Sequence, residues 1–369
     1  LAYYLAIFAM VFGSTFGTFN AANAGNQTIT ESGAVTTDHV TNGGADDIII
    51  SATDTTAVVA TLNLNLAAIT DIILGTNDSN IQVTTLTVTP GADALTIISN
   101  IKGRDATSND VNTVKIESSV ANAAAQLVTL SGDISNGGNA LGAIDTLNIG
   151  SSTKAGNVLM TGDVAVLAVI VNGGDHADED GIADFRKDLA ATSVVLQDAT
   201  GQATAIFSAA SAEEIVGTID GGADFEGTLQ VTGTDISFAG VIGNTKDIGT
   251  LDVDSSAEFK AAVSAQTVTV AAAKTAQFNA ALTAANITLA DSTATLKVIG
   301  NVTIAGAVTS GTINTTTAAS TFSGAVGTSS LKTAIDADFG TTFGGAVNAS
   351  TVLIADGKVV DFDAAVTAD

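Results

Sequence analysis

The 369-residue sequence predicts an all-β fold, a repetitive β-solenoid (parallel β-helix) of about 20-residue coils. Three observations lead there. A five-residue pattern recurs as Phe259-Lys-Ala-Ala-Val263, Phe278-Asn-Ala-Ala-Leu282, Ile304-Ala-Gly-Ala-Val308, Phe322-Ser-Gly-Ala-Val326, Phe343-Gly-Gly-Ala-Val347 and Phe362-Asp-Ala-Ala-Val366, at intervals of 19, 26, 18, 21 and 19 residues. Between copies, apolar residues alternate at period two, as in Val268/Val270, Ile287/Leu289 and Val352/Ile354, with Ile313 and Leu331 in equivalent places. That alternation marks half-buried strands. Finally, 37 Gly stand against one Pro, so turns use glycine and few strands are interrupted.

The alternative architecture is a tandem of antiparallel β-sandwich domains. It needs hairpin dipeptides such as Asn-Gly. Asn42-Gly43, Asn136-Gly137 and Asn172-Gly173 are few for that purpose. A 20-residue unit cannot bury enough apolar surface alone, whereas stacked units let each inward Val, Ile or Leu touch its equivalent above and below. Phe at one register in successive coils would form an internal ladder, with small Gly and Ala beside it at a tight corner.

In chain order, residues 1–24 read as a signal peptide or an apolar N-terminal helix. Leu1 to Phe12 is almost wholly apolar, and no charge precedes Glu31. A membrane span needs about 20 apolar residues, so this stretch predicts no transmembrane span and fits a secretory core of roughly 7–15 residues. Ala22-Asn23-Ala24 supplies the small-x-small cleavage pattern before Gly25. Residues 25–174 form a first β-repeat region, in which Leu130-Ser-Gly-Asp-Ile134 and Met160-Thr-Gly-Asp-Val164 are weaker copies of the motif. Residues 189–369 form a second. Within it, Ser211-Ala-Glu-Glu-Ile215 has the composition of a single helical turn.

Residues 175–188 separate the two regions. The run from Asp175 to Asp188 places carboxylates at alternating positions, then Gly181, then Asp184. Calcium takes six to eight oxygens at once, and alternation around a curved loop aims them inward. Asp175, Asp178, Asp180, Asp184 and Asp188 are therefore the candidate calcium ligands. The Asp-x-Asp-Gly-x-x-Asp spacing resembles the calcium repeats of thrombospondin type 3 and dockerin proteins. It departs from them at His176, which replaces the first Asp, and at Lys187, which replaces the usual closing Glu. The competing account is a solvated acidic loop.

Twelve Lys and Arg against 38 Asp and Glu give a net charge of −26, which repels phosphate backbones, so nucleic acid is not an expected partner. Charged residues make up only 14% and apolar residues 46%, the reverse of a disordered chain. With no Cys, thiol catalysis and disulfides are excluded. Only His39 and His176, and Arg104 and Arg186, represent their types, and no nucleophile-elbow, zinc-protease or phosphate-loop motif occurs. The expectation is that the chain is not an enzyme, although a β-helix carbohydrate-active enzyme needs only paired carboxylates.

The run from Phe238-Ala-Gly-Val-Ile242 to Ile248-Gly-Thr-Leu-Asp-Val253 resembles the β-strand repeats of bacterial surface proteins, those of S-layer-like proteins and of rickettsial-type autotransporter passengers. The resemblance covers about residues 120 to 369. It implies an exported structural protein of the bacterial cell surface, self-associating into a layer or filament with the help of calcium. An adhesin passenger that binds a cell-surface glycan or host surface is the alternative it also implies.

Overall fold

The computed structural model describes residues 27–29, 33–35, 46–50, 58–62, 69–75, 83–90, 93–103, 111–118, 126–135, 144–299 and 302–368, with side chains from residue 71 onward. The N-terminal segment 1–24, Asn42-Gly43, Asn136-Gly137, His39 and Arg104 lie outside the described residues. Those described form 36 strands and no helix. Every strand pair among them is parallel; the one antiparallel bridge, Ser151 with Lys154, closes a turn. The fold is thus a parallel β-helix, and the sandwich alternative is excluded by strand direction. No described helix is long and apolar enough to cross a membrane.

The chain divides into two compact units: Leu1–Ala183 with Leu189–Ala191 and Ala199–Gly201, and Asp184–Asp188 with Thr192–Asp198 and Gln202–Asp369. In the first unit three columns of inward residues stack coil on coil. Ile97 pairs with Leu130 and Leu130 with Met160. Ile72, Ile101, Ile134 and Val164 form the next column, at intervals of 29, 33 and 30 residues. Leu86, Val114, Leu147 and Val169 form the third, at 28, 33 and 22. The last interval is short because one continuous strand, Val164–Asn172, serves both the second and third columns of its coil. Asn172-Gly173 ends that strand and starts no hairpin.

A four-residue step turns each corner from the first column to the second: Ile97 to Ile101, Leu130 to Ile134, Met160 to Val164. Its middle residues explain the Ser-Gly-Asp and Thr-Gly-Asp signatures. Asn100 Oδ1 accepts the Asp133 N–H at 3.0 Å, and Asp133 Oδ1 accepts the Asp163 N–H at 2.9 Å. The corner glycines stand so close that a Cβ on Gly162 would lie 2.4 Å from the Gly132 carbonyl oxygen.

The second unit also has three faces. The first carries Ala203–Phe207, Glu226–Val231, Ile248–Val253 and their successors, with Leu229, Leu251, Val268 and Ile287 inward. The second carries Ile215, Phe238, Phe259, Phe278, Val298, Thr315, Ala337 and Ile354 in one paired register. The third carries Ile219, Ile242, Val263, Leu282, Ile304, Phe322, Phe343 and Phe362, at intervals of 23, 21, 19, 22, 18, 21 and 19.

The recurrent phenylalanines are inward, but they do not form one ladder. Phe185 stacks on Phe207 with centroids 5.3 Å apart, and Phe207 meets Phe238 edge-on at 5.3 Å. Phe238, Phe259 and Phe278 then stack on the second face at 5.2 and 4.8 Å. Phe322, Phe343 and Phe362 stack on the third, at 5.0 and 5.4 Å. The five-residue motif therefore spans the second-to-third corner up to Phe278 and the third-to-first corner from Ile304. The 26-residue interval is one 22-residue coil plus this four-residue change of corner. Packing volume explains the change. Where the second face holds Phe, the third holds Ile242, Val263 or Leu282; where the third holds Phe322 or Phe343, the second shrinks to Thr315 or Ala337. A close-packed interior of fixed cross-section accommodates one ring per coil. Thr315 remains satisfied there, since its hydroxyl shares a 2.8 Å hydrogen bond with that of Thr341.

Two local expectations are corrected. Glu213–Ile215 is a strand, because Ile215 pairs under Phe238 while Glu214 points out. Leu331 is 52% exposed in a turn, and Ile335 takes the inward place instead.

Candidate functional site

The acidic segment follows strand Val164–Asn172 and runs into strand Gly181–Phe185. Its centre is Glu179, a residue outside the predicted ligand set. Glu179 is fully buried. Its carboxylate accepts the His176 N–H at 3.1 Å, its N–H donates to the His176 carbonyl at 3.0 Å, and its carbonyl accepts the Gly174 N–H at 2.7 Å. A Cβ on Gly174 would lie 2.4 Å from the Glu179 carboxylate, so the Gly173-Gly174 pair was the signal for this close approach. The Gly174 carbonyl in turn accepts N–H bonds from Thr200 and Gly201.

The predicted ligands are placed around this loop without converging. Asp175 and Asp178 are exposed on it, and Asp180 and Asp188 are exposed beyond it. Asp184 lies on the outward side of Gly181–Phe185, where it accepts the Ser208 hydroxyl and pairs with Arg186 at 3.4 Å. Among the described residues no group of three or more His, Asp or Glu could hold a metal ion. The physical reason is Gly181. Read as the turn of a calcium loop, it is instead the first residue of an extended strand, and its missing Cβ admits the Asn172 carbonyl, which would lie 2.1 Å away. Alternate side chains on such a strand are about 6.6 Å apart, whereas calcium needs its oxygens within about 2.3–2.6 Å of one point.

Elsewhere carboxylates tie neighbouring coils together. Asp71 accepts the Lys102 ammonium at 2.8 Å and the Asn100 amide at 2.9 Å. Glu117 is held between Lys115 at 2.7 Å and Lys154 at 3.4 Å. Burial works to raise the Glu117 pKa, but the hydrogen bond and charge of Lys115, the charge of Lys154 and a Ser151 hydrogen bond outweigh it, so the net shift is downward. Asp198 accepts the N–H groups of Ala203 at 2.6 Å and Gly227 at 2.8 Å.

The outward faces of the second unit carry columns in register. On the first face Thr204, Thr228, Thr250 and Thr267 follow one another. On the third, Thr303, Thr321 and Thr342 do. The second face differs. Its central outward column reads Glu214, Ser237, Glu258, Gln277, Lys297, Asn314, Asp336. Charge is unevenly divided along the chain. Between residues 255 and 350 four acids (Glu258, Asp291, Asp336, Asp338) balance four lysines (Lys260, Lys274, Lys297, Lys332), so the whole −26 falls outside this block. All four lysines lie in or beside second-face strands.

One exposed aromatic stands apart. Phe225 is 50% exposed and has φ of 70°, in a loop fixed by its N–H bond to the Asp247 carbonyl at 2.8 Å. No known protein family, curated protein or solved structure matches the chain.

Proposed function

We propose that this chain is a structural subunit of a bacterial cell-surface layer or extracellular filament, formed by association of copies of itself. The supporting observation is the continuous internal column, in which side chains such as Phe259, Phe278, Phe322 and Phe343 have no solvent exposure and each contacts its equivalent in the next coil. The fold thus commits its apolar residues to repetition along an axis. The resemblance to S-layer-like β-repeats points the same way. Calcium enters this reading as an ion between copies, where carboxylates of an acidic surface are brought together by assembly. Negative-stain imaging and sedimentation of the full chain, with calcium and then with chelator, test it. Ordered assemblies that shrink on chelation are expected; a chain that stays monomeric in both refutes it.

A second reading, adhesion to a neutral glycan, is favoured by Phe225. A left-handed backbone at a non-glycine residue is costly and concentrates at functional positions. An exposed ring fixed beside Asp224 and Glu226 offers an apolar surface for a sugar face and acceptors for its hydroxyls. Glycan-array binding that disappears in Phe225→Ala would establish it; an equal signal from the variant would remove it.

A further inference from the structure

We infer that the second face of the coils from Glu258 to Asp336 docks on the same face of a second copy, related by a two-fold axis near Asn314. This names the contact surface of the self-association proposed above and rests on that reading. The occupant follows from charge. A chain of net charge −26 repels its own copies over most of its surface, at separations up to a Debye length of about 8–10 Å. The block 255–350 is the exception, with no net charge.

Within it, the charges on the second face form a self-complementary order. Lys297 occupies the central outward column, with Glu258 two coils before it and Asp336 two coils after it. Coils in a parallel sheet repeat at about 4.8 Å, so both acids stand roughly 10 Å from Lys297 along the column. Lys297 makes no ion pair with any described residue of its own chain. A two-fold axis at the Asn314 coil carries Lys297 onto the partner's Asp336 and brings the partner's Lys297 onto Asp336. The Asn314 side chains then meet at the axis. One isologous contact therefore satisfies both lysines at once, as closed two-fold interfaces do. The flanking outward positions are Thr295, Thr312 and Ala334, which are small and uncharged. The coil repeat is identical in both copies, so the two columns stay in step along the face. Glu258 is the poorer acceptor, because its carboxylate already takes amide hydrogen bonds from Gln277 and Asn279 at 2.9 and 2.8 Å.

The test measures association of the full chain by sedimentation equilibrium, with circular dichroism melts to verify folding. Lys297→Glu sets like charges against each other at both contacts and is expected to weaken association about tenfold or more. Asp336→Lys is expected to weaken it similarly, although it lowers the net negative charge and would strengthen association if bulk repulsion governed. An equimolar mixture of the two variants restores pairing, because the new carboxylate of one meets the new ammonium of the other. If wild-type chains associate and Asp336→Lys strengthens or does not change that association, the second-face contact is wrong while self-association stands. If wild-type chains remain monomeric, both readings fall. Should Lys297→Glu not fold, Lys297→Gln with Asp336→Lys alone still decides between the two electrostatic accounts.

Discussion

The two units solve one packing problem with different economies of chain. Inward columns of the first unit advance by 28 to 33 residues per coil until the final step of 22, whereas third-face positions of the second unit from Ile242 onward advance by 18 to 22. The inward residues of the first unit are aliphatic, with Met160 the one soft exception. Those of the second include a ring in most coils. The contrast shows what allows a coil to shorten. A Phe fills the cross-section from one position, and stacked rings contribute roughly 0.5–1.5 kcal/mol per pair beyond burial. A coil without a ring needs several aliphatic positions to fill the same volume, and therefore more strand.

The sharpest way to break this contrast is to empty a ring site. Phe259→Ala is expected to cost about 3–5 kcal/mol, with the loss confined to the second unit. Hydrogen exchange resolved by peptide would read this as faster exchange around Phe238 and Phe278 with residues 95–160 unchanged. A corner glycine comes next. Gly324→Ala places a Cβ 2.2 Å from the Gly306 carbonyl oxygen, a backbone atom with little freedom to move. It is expected to cost about 2–4 kcal/mol in chemical denaturation.

The one-ring rule gives a smaller and more discriminating effect. Ala337→Phe alone overpacks its coil by about 1–3 kcal/mol. Combined with Phe343→Ala it returns the ring to the second face, and the pair should cost measurably less than the sum of the singles. Additive costs would show that ring position is independent between faces. The least effect is expected in the first unit. Glu117→Gln leaves Lys115 and Lys154 without their carboxylate and should cost about 1–2 kcal/mol. Because the folded pKa of Glu117 lies below its usual value, its contribution is present above the unfolded carboxylate pKa and is lost as pH falls through the folded one. Protection of the first unit against exchange should decline in that acid range, and the Gln variant should show less of that decline.

The parallel stack and its inward residues were legible in the sequence, because β-branched alternation and a recurring Phe-x-x-x-aliphatic step are direct consequences of coil geometry. The phase of the step was not. Four residues turn the second-to-third corner at Phe278 to Leu282 and the third-to-first corner at Ile304 to Val308, so the same pattern serves both. Only pairing distinguishes them, and pairing is non-local. Leu331 misled for a related reason: Ile335 lies four positions on and is equally apolar, and only the turn at Thr328 to Leu331 decides which is inward. At the acidic segment, composition pointed to oxygen-rich chemistry, but residue types cannot say whether Gly181 bends the chain or admits a neighbouring carbonyl. Glu179 was hidden among exposed aspartates of similar appearance. Its role follows from burial, which depends on the residues around Thr200 and Gly201 twenty positions later.

The migration of the aromatic column from one face to another limits how this molecule can be lengthened or trimmed. A cassette cut from Phe259 to Asn279 begins and ends in the same phase, so an added copy would continue the existing stack. A cassette whose ends fall on opposite sides of residues 279–303 joins coils of different phase, and leaves one turn with two rings or with none. Gene duplication and laboratory grafting therefore meet the same grammar: coils are interchangeable within a phase and mutually unreadable across it.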